Sequence, residues 1–432
     1  MTEVRDVVIT GIGLTSPVGD EPTKVFDSWL YGKHNFTPIQ HFNVSGTPVQ
    51  YAGHCSEIDT KLLPDRKVQK ILRRKDLLSL LTTIRAAQDA DIKNADLHPD
   101  RQGMYVGASA TQIGDLTPYF TLVAQCADLA KGTFDSGKFG KEMLDLVNPL
   151  VVLQTLMNNA LCFGTMTLDL RGVNANFMDF QVSGLRALGE AFLSIRENRA
   201  DLVIAGGVAG PVEPFQLAEG VQVNYLAHTL ELTKPLENVV RPWDRERMGT
   251  ILSEGTGYLV LEEKHHAIKR RAKIYGCVKG FGMGHDGHMA LFSQEPATGL
   301  ESALSRAMMQ AGVKKTDIGG IIGHGNGSKI HDWGEIKAYN NLWTEEHHPV
   351  WLSSPYPTLG DMCEASGPCS VILALICLER GLLPRTTNHH EFEEKTANVR
   401  VAQAAIEIEK QHLLITSRNF FGLSCALIVG KA

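Results

Sequence analysis

The sequence predicts an α/β protein, built as two similar-sized lobes or as one large α/β unit. Three observations carry that prediction. Short β-branched runs that end in glycine alternate with longer segments whose apolar residues recur every three or four positions, as strands and amphipathic helices do. The alternation continues through both halves of the chain, which calls for parallel or mixed sheets covered on both faces. At 432 residues the chain also exceeds what a single core usually organises.

Taken in order, residues 7–10 (VVIT) form a buried strand that runs into a tight turn at Gly11-Ile12-Gly13. Residues 23–32 and 74–95 have the three- and four-residue apolar spacing of helices, and a strand at 103–106 follows. The stretch 109–148 is polar and irregular, broken by Gly132 and Gly137, and reads as an insertion on a surface or interface. Residues 148–161 then turn helical. A compact unit comes next: a helix at 184–196, a strand at 201–204, and Ala205-Gly206-Gly207 as its turn. Residues 257–263 make a strand and 265–273 a basic, exposed helix. In the second half, 274–280 and 319–322 are strand-like, 299–312 is helical, 365–380 is a long apolar helix, and 426–429 is the closing strand.

Composition excludes several classes of function. Hydrophobic residues at 43% and charged residues at 21% are those of a soluble globular protein. A net charge of −6, with Lys and Arg scattered, argues against nucleic acid or an anionic membrane as partner. An acidic carrier protein would need a local basic patch instead. The eight cysteines form no CxxC pair and lack the density of a disulfide framework, which fits a reducing cytoplasm. No basic leader precedes an apolar stretch, and no run approaches the ~18–20 apolar residues of a membrane span, so a soluble cytoplasmic protein is expected.

The motifs narrow the field further. Gly11-x-Gly13 lacks the third glycine of a dinucleotide fingerprint, and Ser16-Pro17 follows instead. There is no GxxxxGK[ST], HExxH or GxSxG, so nucleotide, zinc-protease and hydrolase chemistries lose their signatures. Two dense polar segments remain, FMDFQVSGLRALG at 177–189 and HGNGSKIHDWGE at 324–335. On the residues alone, His324 reads more readily as a buried, hydrogen-bonded turn histidine than as a catalytic one, and Gln181 as a helix-start amide. The pairs His265-His266, His347-His348 and His389-His390 sit in polar surroundings and read as solvated. Cys363, Cys369 and Cys377 lie on or beside an apolar helix and read as small core residues.

These segments, in this order, resemble the β-ketoacyl-carrier-protein synthases over nearly the whole chain. The matching stretches are VVITGIGLTSPVG at 7–19, Leu170-Arg171-Gly172, ADLVIAGGVAGPVEPF at 200–215, RPWDRERMGTILSEGTGYLVLEE at 241–263, HGNGSKIHDWGE at 324–335 and LSS at 352–354. The resemblance implies a thiolase-like, five-layered αβαβα sandwich of two duplicated lobes, here 1–265 and 266–432, dimerised through a broad interface. Condensing members of the family carry a Cys nucleophile at a helix N-terminus, two His and a supporting Lys.

Against that pattern the chain departs at four places. Aligning ALGEA at 187–191 with the family helix puts Gln181 at the nucleophile, and an amide cannot hold a thioester. His324 matches the first family histidine, and Asp332 and Glu335 match the acidic residues after it. Tyr356 stands at the family Lys and Asp361 at the second His, which breaks the imidazole pair and sets a carboxylate where an enolate would form. The gating loop reads Asn419-Phe420-Phe421-Gly422, with Asn and Phe at two glycine positions.

The resemblance therefore implies a non-condensing chain-length factor of a type II polyketide synthase, a catalytically inactive subunit that forms a heterodimer with an active ketosynthase and shapes its tunnel. The alternatives are a malonyl-carrier-protein decarboxylase with Gln in place of Cys, and an acyl- or carrier-protein-binding scaffold. Tunnel-lining or interface residues are sought near Asn148-Pro149-Leu150, with Tyr119, Phe120, Leu122, Phe134 and Met157 as candidates. No metal or resident cofactor is expected; phosphopantetheine-bound substrate would arrive on acyl carrier protein.

Overall fold

The computed structural model describes residues 4–63, 66–109, 117–146, 148, 150–230, 232, 235–288, 297–344, 349–392, 396 and 398–432. Among them, the strands β1 (Val7–Thr15), β2 (Gln102–Gly107), β3 (Asn174–Phe177), β4 (Leu202–Ala209), β5 (Gly255–Glu263), β6 (Gly276–His285), β7 (Ile318–Ile322), β8 (Val350–Ser353), β9 (Val399–Val401), β10 (His412–Arg418) and β11 (Leu423–Gly430) form one mixed sheet. Its order is β9-β8-β7-β10-β11-β6-β1-β5-β4-β2-β3. The first half runs β1-β5-β4-β2-β3 outward, two antiparallel pairings followed by two parallel ones. The second half repeats it as β6-β11-β10-β7-β8, again two antiparallel and then two parallel. In each half the first strand, the last, the next-to-last, the second and the third lie side by side, so the duplication inferred from resemblance is visible as repeated topology. β1 and β6 join the halves by a short antiparallel contact.

Helices complete the five layers. α1 (Arg74–Asp89) and α2 (Asn159–Leu168) cover the outer face of the first half, and α4 (Thr298–Ala311) with α5 (Lys329–Leu342) cover that of the second. α3 (Ser183–Arg196) and α6 (Ser366–Arg380) lie between the halves and touch each other. The main core is built there, from Leu185, Leu188, Phe192 and Ile195 of α3 and Ile372, Leu375 and Ile376 of α6. α6 lacks an amphipathic stripe because it is enclosed nearly all round; every residue from Ser366 to Leu378 is buried.

Several elements differ from the sequence reading, mostly because glycine has two meanings. Gly11 and Gly13 do not form a turn; β1 continues through them to Thr15. They admit the backbone of α1, since a Cβ on Gly13 would stand 2.6 Å from the Thr82 carbonyl oxygen. Ala205-Gly206-Gly207 likewise belongs to β4. The stretch 109–148 holds two helices, Thr117–Cys126 and Ser136–Leu146, and the single helix expected at 148–161 is a short turn, Val151–Gln154, followed by α2. Of the histidine pairs, His266 and His389 are not solvated. His266 donates its Nε2–H to Ala95 O (2.8 Å) and meets Glu262 Oε1 through Nδ1 (2.6 Å), and His389 is buried beside Pro242 O (3.1 Å). His347, His348 and Pro149 lie outside the described residues.

One close approach sets the site. A Cβ on Gly184 at the start of α3, or on Gly207 in β4, would overlap the carbonyl oxygen of Glu364. The turn that precedes α6 is therefore seated backbone to backbone in a notch of the first half. Gly207→Ala is expected to cost about 3 kcal/mol or more, since the obstacle is backbone and cannot rotate away. A chemical-denaturation midpoint equal to that of the parent chain would contradict this.

The sheet's first half is also tied at its rim by ions. Asp201 accepts from Arg101 Nε (2.8 Å) and Nη2 (2.8 Å) and from Arg5 Nη2 (2.7 Å). The Arg101 guanidinium holds the carboxyl below its ordinary range, and Arg5 adds to this. A depressed folded-state pKa contributes stability above the unfolded value of about 3.9, lost as pH falls through the folded value. For this partly exposed cluster Asp201→Asn should cost about 1 kcal/mol at pH 7 and much less at pH 3, a difference readable from melting curves at the two pH values.

Candidate active site

The loop after β7 carries His324, and two acidic side chains of α5 fix its path. Glu335 accepts the His324 amide (2.8 Å), the Trp243 indole N–H (2.8 Å), the Tyr339 hydroxyl (2.6 Å) and the Thr416 hydroxyl (2.9 Å). Asp332 accepts the amides of Trp243 (2.6 Å), Asn326 (3.0 Å) and Gly327 (3.1 Å). Ser328 caps α5 by accepting the amide of His331 (3.3 Å). Burial raises both carboxyls, Asp332 to about 7, with Arg247 opposing the shift at Asp332 and the Tyr339 hydroxyl opposing it at Glu335. So Asp332 and Glu335, matched to the family by sequence, act here by shaping the histidine loop.

His324 is 1% exposed and stands at the centre of a polar cluster. Its Nδ1 lies 3.0 Å from the Tyr356 hydroxyl and its Nε2 3.1 Å from Nδ1 of His331. Asn326 Nδ2 donates to the Tyr225 hydroxyl (2.7 Å), which in turn donates to Asp361 Oδ2. Gln181 Nε2 lies 3.5 Å from that same hydroxyl, and no described group bonds to Gln181 Oε1. Desolvation lowers His324 to about 3 and His331 well below its ordinary value, so both rings are neutral at physiological pH.

The candidates from sequence thus meet in one place: Gln181, His324, Tyr356 and Asp361 are all buried and linked through Tyr225, Asn326 and His331. His331, Tyr225 and Asn326 were missed, although His331 and Asn326 lie within the polar segment 324–335. The family's second imidazole is absent at position 361, and His331 brings a different second ring to His324 from α5. Asp361 is buried at its expected place; burial raises its pKa, and Tyr225, the Cys363 amide (2.8 Å) and Asn326 (3.4 Å) donate to it.

Gln181 does lie at the entry to α3, in the turn Phe180–Val182, with its carbonyl accepting from Ser417 Oγ (2.6 Å). Cys369 and Cys377 are core residues, whereas Cys363 is half-buried beside the cluster, with φ of 41° and its amide on Asp361. In the gating loop, Asn419 is buried. Its Oδ1 accepts the amides of Phe421 and Leu423 (3.0 Å each) and its Nδ2 donates to Asp179 O (3.0 Å), so the amide replaces glycine by closing the turn itself. Phe420 packs on Tyr225 and His331, and Phe421 on Phe180. Of the tunnel candidates, Leu122 is buried, Tyr119 is half-buried, and Phe120, Phe134 and Met157 are exposed. Among the described residues no group of three or more His, Cys, Asp and Glu could hold a metal ion, and no helix is long and apolar enough to cross a membrane.

The model described as "Beta-ketoacyl synthase, N-terminal domain" matches residues 4–267, and "Beta-ketoacyl synthase, C-terminal domain" matches 275–390. The 3-oxoacyl-[acyl-carrier-protein] synthase 2 of Vibrio cholerae is 28% identical over 429 residues, 98% of each chain, and that of Vibrio harveyi 27% over 431 residues, 99% of each. Among solved structures, a β-ketoacyl synthase from Burkholderia phymatum superposes with a TM-score of 0.84 at 21% identity, covering 99% of this chain and 100% of that one. The ishigamide ketosynthase/chain length factor gives 0.81 at 23%, covering 100% of both. These superpositions establish the thiolase-like fold.

The curated relatives overturn the expected branch. They align end to end with this chain and are named as synthases. The expectations of a non-condensing chain-length factor, of a Gln-type decarboxylase and of a catalytically inactive subunit give way to that finding. Those expectations rest on Gln181 first, with Tyr356, Asp361 and the loop at 419–422 beside it; these departures stand in the sequence, and it is the end-to-end likeness to synthases that overturns the branch drawn from them.

Proposed function

This chain belongs to the β-ketoacyl synthase family, and from that premise we propose that it is a condensing 3-oxoacyl-carrier-protein synthase. It joins an acyl thioester to a malonyl-type extender, each delivered on the phosphopantetheine arm of an acyl carrier protein. The end-to-end likeness to 3-oxoacyl-[acyl-carrier-protein] synthases supports the reaction class. One observation carries it at the site: a buried, uncharged cluster of His324, His331, Asn326 and Tyr225, the surroundings in which hydrogen-bond donors stabilise a developing oxyanion most.

The amide at 181 forms no thioester. Burial pushes the Cys363 thiol well up, with the charges of Asp361 and Glu364 adding to it, so that sulfur stays protonated. The acyl partner therefore reacts while still a thioester of its carrier arm. We place the acyl path along Tyr119, Phe120, Leu122, Phe134 and Met157 at the contact with a second subunit; Phe120 is 60% exposed in the isolated protomer, as an aromatic awaiting a partner surface would be. The two halves, 1–265 and 266–432, serve as its lobes.

The purified chain, given acyl- and malonyl-carrier protein, should yield a 3-oxoacyl-carrier product by mass spectrometry. Release of CO2 without a new C–C bond would overturn the proposal. Alanine at the five path residues should lengthen the product; an unchanged chain length across the set removes them from the path.

A further inference from the structure

The hydrogen bonds around His324 have a direction, and it ends at an open donor. Tyr356 is buried and keeps its proton, and its hydroxyl meets Nδ1 of His324 at 3.0 Å, a contact in which the hydroxyl is assigned as the donor. His324 is neutral; with its proton on Nε2 by that assignment, the N–H donates to His331 Nδ1 at 3.1 Å, and the Asn326 amide approaches the same two nitrogens at 3.4 and 3.5 Å. His331 in turn carries its proton on Nε2. This atom is fully buried and has no hydrogen-bond partner among the described groups. The same holds for Gln181 Oε1, and both side chains border Tyr225.

The ring of His331 is held from every side. The Ser328 cap fixes its backbone, Tyr225 meets it edge to face at 5.6 Å, and Phe420 of the gating loop lies against it at 4.9 Å. A buried N–H held in place with no acceptor costs stability unless a ligand supplies one.

We infer that His331 is a catalytic residue whose Nε2–H donates to the thioester carbonyl oxygen of the extender. The inference deepens the condensing reading and rests on it. In the step it serves, the bond between the extender's α-carbon and its carboxylate breaks and CO2 leaves. The electron pair passes to the carbonyl oxygen, where the His331 N–H bonds to the enolate. The α-carbon then attacks the acyl thioester, a C–C bond forms, the C–S bond breaks, and the carrier thiolate leaves to take a proton from solvent. Donation through Tyr356 and His324 orients that N–H before substrate arrives.

Two substitutions separate this role from packing. Gln at 331 can place an amide N–H near the Nε2 position, whereas Asn reaches only the Nδ1 position. His331→Asn should lower kcat for condensation about 100-fold or more with KM little changed, and His331→Gln should recover at least tenfold of that loss. Equal losses in both variants, or an Asn variant within threefold of the parent, would overturn the assignment.

A second readout does not need turnover. Infrared difference spectra of 13C-carbonyl malonyl-pantetheine thioester bound to the chain should show a carbonyl stretch shifted to lower frequency, lost in His331→Asn and restored in His331→Gln. If the parent chain does not condense yet the shift depends on residue 331, the proposed reaction fails and the donor role stands. A condensing chain in which the shift is absent, or persists in His331→Asn, keeps the reaction and loses the donor role.

Discussion

Replacing Gln181 with cysteine is expected to convert a chain that forms no acyl-enzyme into one acylated stoichiometrically by an acyl-carrier thioester. Residue 181 enters α3, a helix of 14 residues, where the backbone dipole favours a thiolate. Its carbonyl is pinned by Ser417 Oγ, so the smaller side chain inherits the same direction, toward Tyr225 and the His324 cluster. The Gln amide is 2% exposed, and its removal leaves room that an acyl carbonyl can occupy. Intact-mass spectrometry should show one acyl adduct on the Cys variant and none on the parent chain or on Gln181→Ser. A folded Cys variant that stays unmodified would show that position 181 does not face the acyl path.

Glu335→Ala should produce the largest loss of stability of any single side-chain truncation at the site. The change takes an acceptor from four donors: the Trp243 indole is left without one, while the His324 amide keeps Thr416 Oγ1 (3.2 Å) and the Tyr339 and Thr416 hydroxyls keep each other (2.8 Å). One buried donor left unmade and three weakened cost about 2–3 kcal/mol together, which for a chain of this length lowers the melting point by roughly 2–3 °C. Because His324 loses its anchor, condensation should fall at least 100-fold as well. Glu335→Gln keeps one acceptor and should retain about half the stability. Calorimetry that finds the Ala variant as stable as the parent would contradict the anchoring role.

Much of the architecture could be read from the chain because strand and helix periods survive in local sequence. The order of motifs was enough to place Gln181, His324, Tyr356 and Asp361 in one site. Local pattern failed where meaning depends on what lies across the fold. Gly11, Gly13, Gly206 and Gly207 look like turns in one dimension, but they are places where another backbone comes close. Gly207 meets the Glu364 carbonyl, 157 positions away by the numbering.

His331 was missed for a related reason. A seven-residue separation from His324 has no periodic signature when a capped turn at Ser328 intervenes, and only the resulting loop folds the second ring back on the first. The available signal was the Ser328 cap itself, which makes His331 a first-turn residue beside the preceding loop. The partner of Asp361 was not legible because Tyr225, which donates to it, lies 136 positions away in the chain.

The seating of the Glu364 carbonyl against Gly184 and Gly207 has a consequence for how such a catalyst can change over time. Gln181 belongs to one duplicated unit and Asp361 to the other, yet main chain locked on main chain leaves no slack between them. Spacing across the reactive centre is therefore inherited rather than adjustable. New substrate preferences must arise by exchanging side chains that reach in from the rim, Phe420 and Phe421 foremost, while the joint beneath stays closed to any residue larger than glycine.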